Sequence, residues 1–223
     1  MEGKAAVLLT PLTTLDQWKA LLASPEKHWK EGYSAHALAT RWTSGAGFPA
    51  EIASLLGTNE ATTGAMPLLA IPEHQVPLAG GARASQTDLW VLARNGRGLI
   101  SIAIEGQADE SVGSTAGEWR TGASDGKQDR WSALCALLEV DRTCETAARY
   151  QLFHRTASAL IEARRFYATG AAVIVHSFSK SQESFADFQA FVRIMGGHIS
   201  APGRLVSVAS REGIELHFGW AQG

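Results

Sequence analysis

The chain has 223 residues, of which 45% are hydrophobic and 19% are charged, an ordinary balance for a globular protein. The two cysteines, Cys135 and Cys144, lack the CxxC and histidine spacing of a zinc site. A net charge of -2 and a pI near 6.4 argue against a strongly basic nucleic-acid-binding surface, although metal ions supply local positive charge in some sites. Without a signal-peptide pattern or a run of 18 apolar residues, the sequence predicts a soluble, cytoplasmic protein with no membrane span.

The N-terminal third of the chain is predicted to be helical. Helix signals such as serine and proline at the starts and glycine at the ends place three short helices there, over 13–24, 34–43 and 49–57. From Met66 the pattern changes to a strand over 66–71. An irregular connection rich in glycine and proline is expected over 74–85.

A β-hairpin is the most informative local pattern of the chain. The segments 87–94 and 99–106 are apolar and rich in β-branched residues, and the turn sequence NGRG separates them. After the hairpin, residues 107–130 are polar and rich in glycine. They are expected to form a long functional or mobile loop.

The remaining segments predict alternating helices and strands without a domain linker. Helices are expected over 130–139, 145–166 and 184–196, a buried strand over 171–178, and a closing hairpin that joins 205–210 to 214–221. Together the elements predict one domain over 1–223 with an α/β (α+β) fold. Its helical part covers 1–60 and its core covers 66–223, with a mixed central sheet of about four or five strands flanked by helices.

The hairpin register places two acids opposite each other. If the turn centres between Gly96 and Arg97, the register defines which residues are cross-strand neighbours on one face of the hairpin. A slip of one residue would move one acid to the other face. The predicted pairs are Asp88 with Glu105, Trp90 with Ala103, and Leu92 with Ser101.

Opposed side chains on paired strands lie about 5 Å apart, and two carboxylates at that distance repel each other unless a proton or a cation intervenes. Oxygen-rich acidic pairs are natural ligands for a hard divalent ion. Asp88 and Glu105 are therefore candidate ligands for Mg²⁺ or Mn²⁺. Gln107 continues the parity of Glu105, so the strand presents Glu-x-Gln.

An Asp on one hairpin strand and an acidic E-x-Q at the end of the next resemble the active-site pattern of the PD-(D/E)xK nuclease-like superfamily. Segments spread over most of the chain are similar to an uncharacterised bacterial branch of it: HWKEGYSAHALATRW, DLWVLAR, IEGQADE and RYQLFHRTASA. The resemblance implies a restriction-endonuclease-like fold and Mg²⁺-dependent hydrolysis of phosphodiester bonds in DNA or RNA.

The same resemblance implies roles for further residues. Glu51 matches an acid on a helix that precedes the hairpin, and Gln151 matches a polar residue on the helix that follows it. His154 would support the site or contact the phosphate. Gln107 stands where the superfamily usually has Lys, so it would orient the attacking water without acting as a base.

Each of these residues also has an ordinary structural interpretation. Asp88 and Glu105 fit strand ends, and Glu51 fits the first turn of a helix. The polar stripe of the long helix fits a solvated face, in which Arg155 either contacts phosphate or pairs with Glu162; the stripe is Gln151, His154, Arg155 and Ser158. Asp109 and Glu110 are expected to form a solvated loop. The seven scattered tryptophans favour core packing over base stacking.

Two rival functions stay open. A non-catalytic member of the same fold would bind a protein partner or act as a scaffold. An enzyme of another class would use His154 or His176 with a nearby serine, either Ser158 or Ser177, but the G-x-S-x-G nucleophile turn is missing. The oligomeric state also stays open, a homodimer included.

Overall fold

A computed structural model describes residues 14–44, 47–109, 113–144, 147–179 and 183–223. Its N-terminal part is helical as predicted, with α1 Leu15–Lys19, α2 Pro25–His28, α3 Ser34–Thr43 and α4 Ala50–Gly57. The single helix expected over 13–24 is wrong within the described residues, because α1 ends at Lys19 and Pro25 then opens α2. The backbone of a residue before proline is disfavoured in a helix, which separates the two pieces.

The described residues form a six-stranded mixed sheet flanked by helices. The strands are β1 Met66–Val76, β2 Ser85–Asn95, β3 Gly98–Gln107, β4 Gly170–Ser177, β5 Leu205–Arg211 and β6 Ile214–Gln222, in the order β1-β2-β3-β4-β6-β5. The prediction of an α/β fold is confirmed. The predicted number of four or five strands was too low, because the closing hairpin joins the same sheet. Strands β3, β4 and β6 run parallel, and the other pairs are antiparallel.

The second half of the chain supplies α5 Ala116–Arg120, α6 Asp125–Leu138, α7 Tyr150–Arg165 and α8 Glu183–Ile194. The long loop expected over 107–130 is therefore wrong, because it contains α5 and the start of α6. Thr115 and Glu118 form a capping box at α5, and this T-x-x-E spacing is a signal visible in the sequence. Helix α7 begins later than the predicted 145–166, after a bridge between Thr115 and Arg149.

The hairpin register is confirmed. Asn95 pairs with Gly98, and Trp90 and Leu92 pair with the predicted Ala103 and Ser101. Strand β1 is longer than expected and continues to Val76, so the first three residues of the predicted irregular connection over 74–85 belong to the sheet.

The two faces of the sheet carry two hydrophobic cores. Strand alternation places Ala103 and Val175 against Phe153 of α7 on one face. Ile104 and Ile174 pack with the N-terminal helices on the other face. Glu105 has the parity of Ala103 and so belongs to the α7 face. Among the helices that the structure describes, none has the length and apolarity that a membrane crossing requires.

Candidate functional site

Three carboxylates occupy equivalent positions on three neighbouring strands. Asp88 and Glu105 stand one position beyond the Leu89–Ile104 pair, and Glu73 stands across from Asp88 between two paired positions of β1. The side chain of Glu105 is only 8% exposed and that of Asp88 is 25% exposed. Glu73 has a left-handed backbone with φ of 53°, although the pairing register of β1 with β2 is the same before and after it. We call these three residues the acidic row.

Arg155 of α7 is the cation that the acidic row binds. Its Nε donates to Glu105 Oε2, its Nη2 lies 3.4 Å from Glu105 Oε1, and the same Nη2 lies 3.3 Å from Asp88 Oδ1. The side chain of Arg155 is 10% exposed. The alternative that Arg155 pairs with Glu162 is wrong, because Glu162 instead contacts Arg165 and His74.

The charges in the acidic row are not balanced. Burial raises the pKa of Asp88 well above its usual value, and the negative charges of Glu105 and Glu73 raise it further, against the opposing effect of Arg155. Burial raises the pKa of Glu73 to about 7, although Gln86 Nε2 donates to its carboxylate at 2.5 Å. The guanidinium of Arg155 thus contacts two of the three carboxylates and acts on Glu73 only through its charge. A further cation or a proton would therefore stabilise the cluster.

A cavity of about 280 Å³ opens onto the acidic row. Glu73, Asp88 and Arg155 line it together with Ser34 and His28 from the N-terminal helices. We call it the acidic cavity.

Gly106 allows the N-terminal end of α3 to approach this cavity. A Cβ at this position would meet the Cβ of Ser34 at 3.3 Å and Asp88 Oδ2 at 3.5 Å. Its backbone N–H donates to Asp88 Oδ2 at 3.0 Å. This contact fixes the orientation of the aspartate.

Gln107 and Gln151 are brought beside Glu105, as the sequence predicted. The three side chains line a cavity of only about 20 Å³, which holds about one water molecule. Gln107 is buried, and its Nε2 donates to the carbonyl of Ala108 at 2.7 Å. Because Nε2 of Gln107 is bonded to the backbone, Oε1 is the atom of this side chain that can accept a hydrogen bond from water.

His154 contacts the cluster through Arg155. Its Nδ1 lies 2.8 Å from Ser85 Oγ and 3.3 Å from Arg155 Nη1. A guanidinium only donates hydrogen bonds, so Nδ1 is the acceptor and the ring proton sits on Nε2. Burial holds the pKa of His154 well below its usual value, and the charges of Arg155 and Arg130 lower it further. His154 is therefore neutral at physiological pH, with Nδ1 as its acceptor and Nε2 as its donor.

Glu51 does not join the acidic row. It accepts two hydrogen bonds from Arg41, at 2.7 and 2.6 Å, and lies 2.8 Å from His176 Nε2. His176 pairs with Gly106 and so lies on the face of β4 opposite to that of Glu105. The expected support of the acid pair by Glu51 is thus replaced by an ion pair on the other side of the sheet.

The donors of the acidic row are of the kind that a hard divalent ion binds, but their geometry is not that of a preformed metal site. In the part of the chain that the structure describes, no group of three or more His, Cys, Asp or Glu side chains is arranged to hold a metal ion. The carboxylate oxygens of Asp88 and Glu105 already contact Arg155. Binding of Mg²⁺ at this pair thus requires Arg155 to move away.

Glu73 was not predicted as a site residue, and Arg155 was not predicted to lie between the acids. Glu73 follows Pro72 and precedes a stretch that resembles a loop, so its place in a strand has no local signal. Among the lesser candidates, Asp109 is exposed and accepts from Ser179 Oγ at 2.5 Å, and Glu110 lies outside the described residues.

Comparison with known families gives one match. The family described as Domain of unknown function (DUF6946) matches residues 11–223. The chain belongs to the DUF6946 family. No curated protein and no solved structure matches this DUF6946 chain. The match includes the whole acidic row, so that row lies within the family domain.

Proposed function

We propose that this DUF6946 chain is a metal-dependent phosphodiesterase that hydrolyses nucleic acid, with Asp88 and Glu105 as ligands for Mg²⁺ or Mn²⁺. The observation that carries the proposal is the acidic row beside an open cavity. Asp88 and Glu105 contact the guanidinium of Arg155, whereas Glu73 is influenced only by its charge. The resemblance of the Asp88 and Glu105 hairpin to restriction-endonuclease-like enzymes points to the same function.

The raised pKa values of Glu73 and Asp88 supply the physical argument. Burial and the neighbouring carboxylates outweigh the positive charge of Arg155 at both groups, and a divalent cation would supply further positive charge at neutral pH. When bound, the ion would lower the pKa of an attacking water and offset charge on the phosphate.

The protein groups around the ion would have separate tasks. Arg155 released from Glu105 presents a planar fork of donors that matches two phosphate oxygens. The carboxylate of Glu73, with a pKa of about 7, is suited to take up a proton near neutral pH. Gln107 accepts a hydrogen bond from water through Oε1, because its Nε2 is bound to Ala108.

A second candidate function is a binding or scaffold protein with a nuclease-like fold and no catalysis. Two observations favour it. Arg155 already neutralises part of the charge of Asp88 and Glu105. Gln107 stands where the superfamily usually has lysine. In this case the acidic row would be a structural ion cluster, and the partner would be a protein.

Calorimetric titration of metal-stripped protein with Mn²⁺ and Mg²⁺ at pH 7.5 separates the two candidates. The proposal expects binding that weakens at least about tenfold in Asp88→Asn and in Glu105→Gln. Glu60→Gln is the matched control, because the side chain of Glu60 is 93% exposed and lies outside the row. Affinity should also rise between pH 6 and 8, as Glu73, with a pKa of about 7, loses the proton that competes with the ion.

Cleavage of labelled single- and double-stranded DNA and RNA completes the test. Metal-dependent cleavage that is lost in Asp88→Asn and kept in Glu60→Gln supports the phosphodiesterase. Cleavage that is unchanged in Asp88→Asn overturns it, since the activity then comes from another site or another protein. Absence of both metal binding and cleavage favours the scaffold function.

A further inference from the structure

A second and larger cavity adjoins the acidic cavity. It has a volume of about 730 Å³, within the range of small-molecule and cofactor sites. Ala23, Gln86 and Arg155 line both cavities, so the two form one continuous depression with Arg155 at the junction. We call the larger one the arginine cavity.

The arginine cavity is positively charged. Arg83, Arg130 and Arg155 line it together with neutral His154, and no carboxylate is among its lining residues within the described chain. Arg130 is buried, and its guanidinium holds the preceding loop by donating to the carbonyls of Ala79, Gly81 and Arg83. The side chain of Arg83 is exposed and is therefore the cation most accessible to a ligand.

One wall of the arginine cavity is aromatic. Trp119 and Tyr150 line it and stack on each other with ring centroids 3.9 Å apart. The ammonium of Lys127 lies 5.2 Å from the ring centroid of Trp119. Tryptophans such as Trp18 and Trp90 are core residues as predicted, whereas Trp119 is only half-buried.

Positive charge continues beyond this wall. Lys127 also lines a further cavity of about 500 Å³ together with Arg120 and Arg142, and its described lining again contains no carboxylate. The acidic side chains Asp125 and Asp129 of the same helix line neither cavity. Cations thus lie on both sides of Trp119, with Arg83 and Arg130 at the arginine cavity and Lys127 at the further cavity, although the net charge of the whole chain is negative.

We propose that the arginine cavity and its extension past Trp119 hold a single strand of nucleic acid whose end reaches the acidic row. The phosphates lie near Arg83 and Lys127, and an unpaired base contacts the Trp119–Tyr150 pair. This inference rests on the proposed function and specifies the form of its substrate. A groove of cations with an aromatic wall binds single strands, because their base faces are free to stack and those of a duplex are not.

Fluorescence anisotropy with a labelled single strand of about twelve nucleotides tests the inference. The titration contains EDTA, so it measures binding without metal and without cleavage. Arg83→Glu and Lys127→Glu should each weaken binding at least about tenfold, because each removes a phosphate contact and adds repulsion. Arg204→Glu makes the same charge change at an exposed residue before β5, and it should leave the affinity within about twofold.

The salt dependence gives a second measure that a folding defect does not mimic. Removing one phosphate contact in Arg83→Ala should reduce the slope of log affinity against log salt by about 0.7. A slope equal to that of the unaltered chain would overturn the contact.

Three further outcomes would overturn the inference: equal losses in Arg83→Glu and Arg204→Glu, no loss in Arg83→Glu, or a duplex that binds as tightly as the single strand. The failure of the inference and that of the proposed function remain distinguishable. Single-strand binding in EDTA without metal-dependent cleavage would support the inference and overturn the phosphodiesterase. Metal-dependent cleavage that Arg83→Glu leaves unchanged would support the phosphodiesterase and overturn the inference.

Discussion

Two ionic clusters lie on opposite faces of the sheet at the same end of β3 and β4. On the α7 face, the guanidinium of Arg155 contacts two carboxylates of the acidic row and not the third, and the pKa values of Glu73 and Asp88 rise. On the other face, Glu51 is the carboxylate that contacts both Arg41 and His176. The hydrogen bond from Arg41 lowers the pKa of Glu51 to about 2, despite the opposing effect of burial.

The difference separates a closed cluster from an open one. Trp42 Nε1 donates to His176 Nδ1 at 3.2 Å, so the ring proton of His176 sits on Nε2 and is donated to Glu51. Every polar atom of that histidine is thus satisfied. The acidic row, in contrast, has three carboxylates near one guanidinium and opens onto the acidic cavity, so a cation that enters the cavity would offset uncompensated charge.

The largest expected effect comes from removing the shared cation. Arg155→Met leaves Asp88 and Glu105 without their positive partner, and breaking a buried pair in this way costs about 3–5 kcal/mol in the free energy of unfolding at pH 7.5. The measurement is urea unfolding followed by tryptophan fluorescence. Part of the loss should be recovered at pH 5, because the unpaired acids take up protons there.

Arg164→Met on the same helix is the matched control. Arg164 pairs with Glu212 at 2.5 Å, but both side chains are solvent-exposed, so the cost should stay below about 1 kcal/mol. Similar losses in the two variants would contradict the view that Arg155 balances buried charge.

The hairpin that carries the acid pair was predictable because its signal is local. The turn sequence fixes the register, and the register alone places Asp88 beside Glu105. The mixed α/β fold followed in the same way from periodicity in the separate segments. Helix α5 was missed although its capping box at Thr115 and Glu118 is also local.

Glu73 and Arg155 were beyond local reasoning for different reasons. Glu73 lies between Pro72 and a polar stretch, and only its pairing partner β2 keeps it in a strand. Arg155 was recognised on the polar stripe of α7, but its partners depend on how that helix crosses the sheet. Such long-range packing has no periodic signal in one sequence.

The cluster around Glu51 provides the intermediate effect. His176 is fully buried, and His176→Phe leaves the Trp42 N–H without its acceptor, whereas Glu51 Oε1 keeps the hydrogen bond from Arg41 Nε. Leaving such a buried group unsatisfied costs about 1–3 kcal/mol in the free energy of unfolding. Because this cluster faces away from the acidic row, Mn²⁺ affinity in the calorimetric titration should remain unchanged. A parallel loss of metal affinity would mean that the two faces act as one site.

The smallest effect tests the charge imbalance itself. Since the pKa of Glu73 is about 7 in the folded chain against an ordinary value near 4.5, the folded state binds the extra proton between these values. The free energy of unfolding should therefore fall as pH rises from 4.5 to 7 and lose nothing more from Glu73 above that range. Glu73→Gln keeps a polar side chain beside Gln86 and removes the titration, so its profile should be flatter by on the order of 1 kcal/mol, allowing for solvent screening.

Glu60→Gln should retain the slope of the unaltered chain, because that side chain is almost fully exposed. An equal slope in the Glu73→Gln variant would show that Asp88 alone carries the imbalance, since its raised pKa acts in the same direction. Saturating Mn²⁺ gives the sharper version of the test. An ion that binds the acidic row replaces the missing proton, so it should stabilise the unaltered chain more at pH 7.5 than at pH 5, and this difference should be smaller in Glu73→Gln.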